Sequence, residues 1–168
     1  VNVIDIRDGK LTGYNTDAFG FLQSLKNCFN DLKINDLYYI KALVLGTGGA
    51  SKAVCAMLEQ LGISYRKVSR STKADTISYQ DLDETTLAAY KLIVNTTPLG
   101  THPKTEEKPE IPYSALTADH ILYDLVYNPP LTSFLLAGKE KGCTLVNGLD
   151  MLYLQAEKAW GIWTGRLP

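Results

Sequence analysis

An α/β fold built on a doubly wound parallel sheet is what this sequence predicts, on three observations. Short apolar runs alternate with stretches of helical periodicity from about residue 40 onward. A glycine-rich turn joins the first such run to the first such helix. The chain has 168 residues, 45 % of them hydrophobic, and a formal net charge of −1, which suits one well-filled core. Before the alternation begins, Val3–Ile6 and Lys10–Gly13 flank Arg7-Asp8-Gly9, an Asp-Gly hairpin signal. Phe19, Leu22, Leu25 and Phe29 then share one face of a helix over Ala18 to Phe29, and polar residues from Asn27 to Asp36 mark a loop or linker.

Ala42–Leu45 reads as the first strand of the sheet, and Ala53, Val54, Met57, Leu58 and Leu61 as the apolar face of the helix after it, ended by Gly62. Ile63 to Ser69 is the second strand, completing a βαβ unit. A helix over Leu82 to Tyr90 leads to a third strand, Leu92–Asn95, broken by Pro98 and Gly100. Thr101 to Pro112 is a surface loop. Ile121–Asp124 is the fourth strand, Thr132 to Lys141 a helix, Thr144–Val146 the fifth strand, and Asp150 to Trp160 the last helix. Alternation of this kind places helices on both faces of a parallel sheet. Trp160 and Trp163 are expected to pack.

The near-neutral charge, without a Lys/Arg cluster, gives no footprint for nucleic acid or an anionic membrane, so small molecules are the expected partners. Cys28, Cys55 and Cys143 read as reduced core residues, not as a disulfide set or a zinc site. No run of apolar residues suits a membrane span and no signal-peptide pattern opens the chain, so a cytoplasmic location is expected. The strand-like start Val1-Asn2-Val3-Ile4, without Met, suggests a piece of something longer. His102 and His120 have no partner at metal-ligand spacing.

The turn Gly46-Thr47-Gly48-Gly49-Ala50-Ser51 carries the first candidate chemistry. Gly46 permits the sharp exit from the strand, Gly48 lets the backbone approach a pyrophosphate, and the following helix aims free N–H groups at it. Ser51 stands where the fingerprint has a third glycine; it is small enough for helix-on-strand packing. At the end of the second strand, an acid would favour the ribose hydroxyl of NAD. This chain has Ser69-Arg70-Ser71-Thr72-Lys73 there, and Arg70 offers a fork for the 2′-phosphate of NADP, with Ser69, Ser71 and Thr72 adding hydroxyls and Lys73 adding charge. Many such loops are merely tight turns, and without the turn upstream Arg70 reads better as a solvated strand end. The setting of the turn in a βαβ unit favours cofactor binding and the NADP clamp, while Lys73 reads equally well as a surface lysine.

Further stretches, in order along the chain, resemble the shikimate dehydrogenase family: Val1-Asn2, Gly13-Tyr14-Asn15-Thr16-Asp17, the turn from Gly46 to Ala53, Ser69-Arg70-Ser71, Asn95 to Gly100, Asp124 to Pro129, and Gly148 to Ala156. Ser69 departs from the Asn common in the family. The resemblance implies NADPH-dependent reduction of 3-dehydroshikimate to shikimate, in the chorismate route to aromatic amino acids. It implies a catalytic role for Asp17, substrate contacts from Asn2, Asn15, Tyr127 and Gln155, and cofactor contacts from Gly46, Gly48, Gly49, Ala50, Ser51, Ser69, Arg70, Ser71, Thr96, Thr97, Val126, Gly148 and Met151. By spacing alone Asp17 reads as a helix cap, with Thr16 another capping candidate; Tyr127 and Met151 read as packing, and Thr96, Thr97 and Gly148 as turn residues.

Residues 1–36 are then a junction segment carrying substrate-side groups, and 37–168 the NADP-binding domain with the C-terminal helix. The family's substrate domain, with its catalytic Lys, has no counterpart here, and none of Lys26, Lys33 or Lys41 lies in the matching motif. Two alternatives stay open: an NADP-binding module without chemistry, and a quinate or shikimate dehydrogenase using NAD.

Overall fold

A computed structural model describes residues 1–71 and 75–165. Its contacts fall into two compact units, residues 1–35 with the C-terminal segment from Asp150, and Asp36–Leu149.

In the first unit, β1 (Val3–Arg7) and β2 (Lys10–Tyr14) pair antiparallel around Asp8-Gly9. Asp8 (φ 50°) and Gly9 (φ 75°) both take the left-handed conformation that a two-residue hairpin turn needs. Helix α1 (Thr16–Asp31) begins earlier and ends later than Ala18–Phe29. Its cap is Asn15, whose Oδ1 accepts from the Ala18 N–H at 3.3 Å, so neither Thr16 nor Asp17 caps it. Helix α5 (Leu149–Thr164) packs closely on α1 in this unit: a Cβ on Gly20 would lie 2.6 Å from the Met151 carbonyl oxygen. Its far end is tied to β1. Trp163 Nε1 donates to the Ile4 carbonyl at 3.0 Å and Arg7 Nη2 to that of Ile162 at 2.6 Å. Trp160 and Trp163 are nonetheless 66 % and 54 % exposed, contrary to the packing role expected of them.

The second unit is a six-stranded parallel sheet. Its strands are β3 (Lys41–Leu45), β4 (Ser64–Ser69), β5 (Thr76–Ser78), β6 (Leu92–Asn95), β7 (Ile121–Asp124) and β8 (Thr144–Val146), in the spatial order β5-β4-β3-β6-β7-β8. The order reverses direction between β3 and β6, which opens a crevice at the carboxyl ends of those two strands. Ala42 to Leu45 and Leu92 to Val94 are fully buried, as central strands covered on both faces must be. Around them lie α2 (Gly49–Gln60), α3 (Glu84–Ala88) and α4 (Ser133–Lys139). Leu43, Leu45, Val68, Leu87, Ile93 and Phe134 belong to one core cluster. Gly62, at φ 71°, ends α2 as expected.

Two features differ from expectation. Strand β5 was absent from it, and the helix over Leu82 to Tyr90 is a single turn and a half, α3, capped by Asp83 Oδ1 accepting from the Thr86 N–H at 2.7 Å. The three cysteines are free, two of them buried.

Candidate functional site

Strand β3 delivers the chain to Gly46 at φ 108°, where a Cβ would lie 2.9 Å from Thr96 Oγ1. The two loops at the crevice are thus in contact across it, and only glycine satisfies both the dihedral and the approach. At Gly48 and Gly49 a Cβ would meet nothing within 4 Å. That open space leaves bare backbone accessible to a ligand. Gly48 is also the N-cap of α2 and supplies no side-chain bond, so the first amides of that helix are left to bind an anion. Ser51, 1 % exposed, donates from Oγ to the Gly48 carbonyl at 2.7 Å. The replacement of the third glycine is therefore a tie within the loop.

Two cavities, of about 500 and about 480 Å³, share the wall Thr96-Thr97-Pro98. Gly46, Gly48, Ser69 and Arg70 line the first; Ala50, Val126 and Tyr127 line the second. Two separate chain segments expected to hold a dinucleotide thus meet on either side of one loop. No carboxylate pairs with Arg70 among the described residues. The Ser71 N–H donates to Ser69 Oγ at 3.3 Å, and the Ser69 hydroxyl donates back to the Ser71 carbonyl, folding the strand end on itself. Thr72 and Lys73 lie outside the described residues. Gly148 packs against two residues that line the second cavity: its N–H donates to the Val126 carbonyl at 3.2 Å, and a Cβ would fall 2.0 Å from the Leu125 oxygen. His102, given no role by the sequence, lines the second cavity.

Beneath these walls lies a polar network that sequence reasoning did not find. Asn95 and Asp124, the last residues of β6 and β7, are fully buried. Asn95 Nδ2 donates to Asp124 Oδ1 at 3.0 Å, while Asn95 Oδ1 accepts from the Thr97 N–H at 3.0 Å and hydroxyl at 2.7 Å. Asp124 also accepts from the Val126 N–H at 3.0 Å and from Thr132 Oγ1 at 2.6 Å. Thr132 caps α4. One carboxylate therefore sets Val126 directly and Thr97 through an amide. Burial pushes the Asp124 carboxyl up to about 6, against the pull of its three donors. The available signal was a polar residue ending an apolar run, which also describes an ordinary strand end.

In the other unit, Asn2 is hydrogen-bonded to Thr16 and to Asp17, the residue expected to be catalytic. Its Oδ1 accepts from the Thr16 N–H at 2.8 Å, and its Nδ2 donates to Thr16 Oγ1 at 3.0 Å and Asp17 Oδ1 at 2.9 Å. Gln155, on α5, keeps a buried Oε1 with no partner among the described residues. Met151, expected beside the cofactor, is buried in this unit at 9 % exposure. Among the described residues no group of side chains could hold a metal ion, and no helix is long and apolar enough to cross a membrane.

No family model matches the chain. It is 40 % identical over 182 aligned positions to the shikimate dehydrogenase (NADP(+)) of Carboxydothermus hydrogenoformans, covering all of this chain and 63 % of that protein. The enzyme of the same name from Methanococcus aeolicus is 37 % identical with the same coverage. Among solved structures, shikimate 5-dehydrogenase from Thermus thermophilus in complex with NADP(H) and shikimate superposes with a TM-score of 0.80 at 32 % identity, over 98 % of this chain and 62 % of that one. Quinate dehydrogenase from Corynebacterium glutamicum in complex with NAD gives 0.82 at 27 % identity, with the same coverage. The chain thus spans a little under two thirds of the length of these relatives.

Proposed function

We propose that this chain, which belongs to the shikimate dehydrogenase family, is the NADP-binding portion of an enzyme that interconverts 3-dehydroshikimate and shikimate. The observation that carries the cofactor choice is Arg70, unpaired by any carboxylate among the described residues, on the wall of the cavity that holds Gly46 and Gly48. A guanidinium at the end of the second strand suits a 2′-phosphate; an acid, which NAD would favour, is missing from that position. The amides at the start of α2 would hold the pyrophosphate, and the cavity bounded by Ala50, Val126 and Tyr127 would take the nicotinamide half. When bound, the cofactor supplies the hydride that reduces the substrate carbonyl.

The junction segment, residues 1–36, is the substrate side in this proposal. Asp17, oriented by Asn2, would hydrogen-bond the reacting hydroxyl and take part in the proton path. The unpartnered Oε1 of Gln155 would accept from a ring hydroxyl. The catalytic lysine of the family is assigned to the part of the relatives that this chain does not span, so the chain by itself should bind cofactor but turn over little substrate. Reduction of 3-dehydroshikimate by the purified chain at an ordinary enzymatic rate would refute that.

The cofactor assignment is tested by thermal shift. At a concentration one hundred times its Kd, a ligand that binds only the native state stabilises by about 2.7 kcal/mol. NADP should therefore raise Tm more than NAD at equal concentration, and Arg70→Gln should erase the difference. Equal shifts in the unaltered chain would favour an NAD-using dehydrogenase of the quinate type.

A further inference from the structure

Building on the NADP reading, we propose that Tyr79 is a second recognition residue for the adenosine 2′-phosphate, its hydroxyl donating to the phosphate that Arg70 pairs with. The starting point is a short connection. A crossover between parallel neighbours normally takes a dozen residues or more, usually a helix. Strands β4 and β5 are parallel neighbours, yet only the six residues 70–75 separate them. Six residues are too few for a covering helix, and the parallel register sets the two strand ends side by side. Ser69, the last residue of β4, pairs with Ser78, the last of β5.

That register carries the next residue, Tyr79, to the same cavity as Ser69, Arg70 and Gly46. The tyrosine opens a single 3-10 turn capped by Ser78, whose Oγ accepts from the Asp81 N–H at 3.1 Å, and its ring packs on the main core cluster. Backbone and ring are therefore both fixed. The hydroxyl alone is left over: it is buried and has no hydrogen-bond partner among the described residues. Almost all buried polar groups in folded proteins are paired, so this unpaired hydroxyl, on a residue that lines the cavity, leaves a hydrogen bond for a ligand oxygen to complete.

The surroundings say which ligand chemistry fits. Burial pushes the phenol up to about 12, so at neutral pH it remains a proton donor. The Arg70 guanidinium is felt at the ring more strongly than the acid Glu110, which acts in the opposite sense. A neutral donor beside a cation suits a phosphate monoester, whose charged oxygens accept from both. A plain ribose hydroxyl would gain little from the pair. Tyr79 thus bears on the choice of NADP over NAD, and not on dinucleotide binding in general.

The test is Tyr79→Phe in this chain, titrated calorimetrically with NADP, NAD and adenosine 2′,5′-bisphosphate. The variant should raise the melting temperature of the free chain, since an unpaired buried hydroxyl is removed. It should weaken NADP and the bisphosphate alike by roughly tenfold, as expected for one hydrogen bond to a charged group, and leave NAD unchanged. Undiminished NADP affinity would overturn the proposal. So would an equal loss for NADP and NAD, or a lower melting temperature of the free variant, which would mean that the hydroxyl already has a partner. If the unaltered chain binds NADP and NAD equally, the NADP reading itself fails; if it prefers NADP and the variant does so undiminished, only the role of Tyr79 falls.

Discussion

Replacing Asp124 by Asn should make the chain more stable at neutral pH and leave it nearly unchanged in mild acid. Asp124 is fully buried and its carboxyl titrates at about 6, raised from 3.8 by burial. A carboxyl whose pKa is higher in the folded than in the unfolded state binds its proton more tightly when folded. It therefore favours folding below about pH 4, and that contribution is lost as the pH rises through 6. About two pKa units, at 1.36 kcal/mol each, set the pH-dependent part at about 3 kcal/mol. Asparagine keeps an acceptor for Asn95 Nδ2 and the Val126 N–H and presents its NH2 to Thr132 Oγ1, but does not titrate. Urea unfolding of both proteins from pH 4 to pH 7, read by circular dichroism, should show the difference in stability growing by about 3 kcal/mol in favour of Asn. Curves that stay parallel across the range would refute the reasoning. Asp124→Ala serves as the opposite control: it strands three donors in the core and should cost about 3 kcal/mol or more at every pH.

Gly48→Ala should lower the melting temperature of the free chain by no more than the few degrees that a poorer N-cap costs, since a Cβ there meets nothing, but should sharply reduce the thermal shift given by NADP. Retained cofactor stabilisation would show that the open space over Gly48 is not the cradle. Gly148→Ala should behave in the reverse way. Its Cβ would fall 2.0 Å from a backbone oxygen that cannot swing aside, so urea unfolding should report a loss of about 3 kcal/mol or more even without ligand.

The central part of the fold could be read because burial on both faces leaves a plain record: Ala42–Leu45 and Leu92–Val94 are unbroken apolar runs, and the turn between β3 and α2 opens on Gly46, which its geometry demands. The hairpin could be read because Asp8 and Gly9 are the residues its turn prefers. Strand β5 could not, because Thr76-Ile77-Ser78 offers one apolar residue and no periodicity. The helix α3 was overestimated for the converse reason: Leu82, Leu87 and Tyr90 all pack inward, but across a 3-10 turn, a cap and a single helical stretch. At the site, the sequence pattern was enough to bring Gly46, Gly48 and Arg70 to one cavity, because the turn and the strand end follow from the sheet. Asn95, Asp124 and Tyr79 were not legible, since their significance lies in the partners that the sheet brings to them or, for Tyr79, leaves out.

The tie from the Ser51 hydroxyl to the Gly48 carbonyl bears on how fast and how tightly this loop can work. A glycine-rich segment is among the most mobile pieces of chain, and freezing it around a ligand opposes binding with the entropy of every residue so ordered. Here a residue in the first turn of α2 reaches back and ties down the N-cap glycine without any ligand. That ordering is then met during folding, and in the proposed site a phosphate would find amides already aimed. A strict third glycine would lack this tie, so the departure from the glycine pattern trades one small residue for another that also orders the loop.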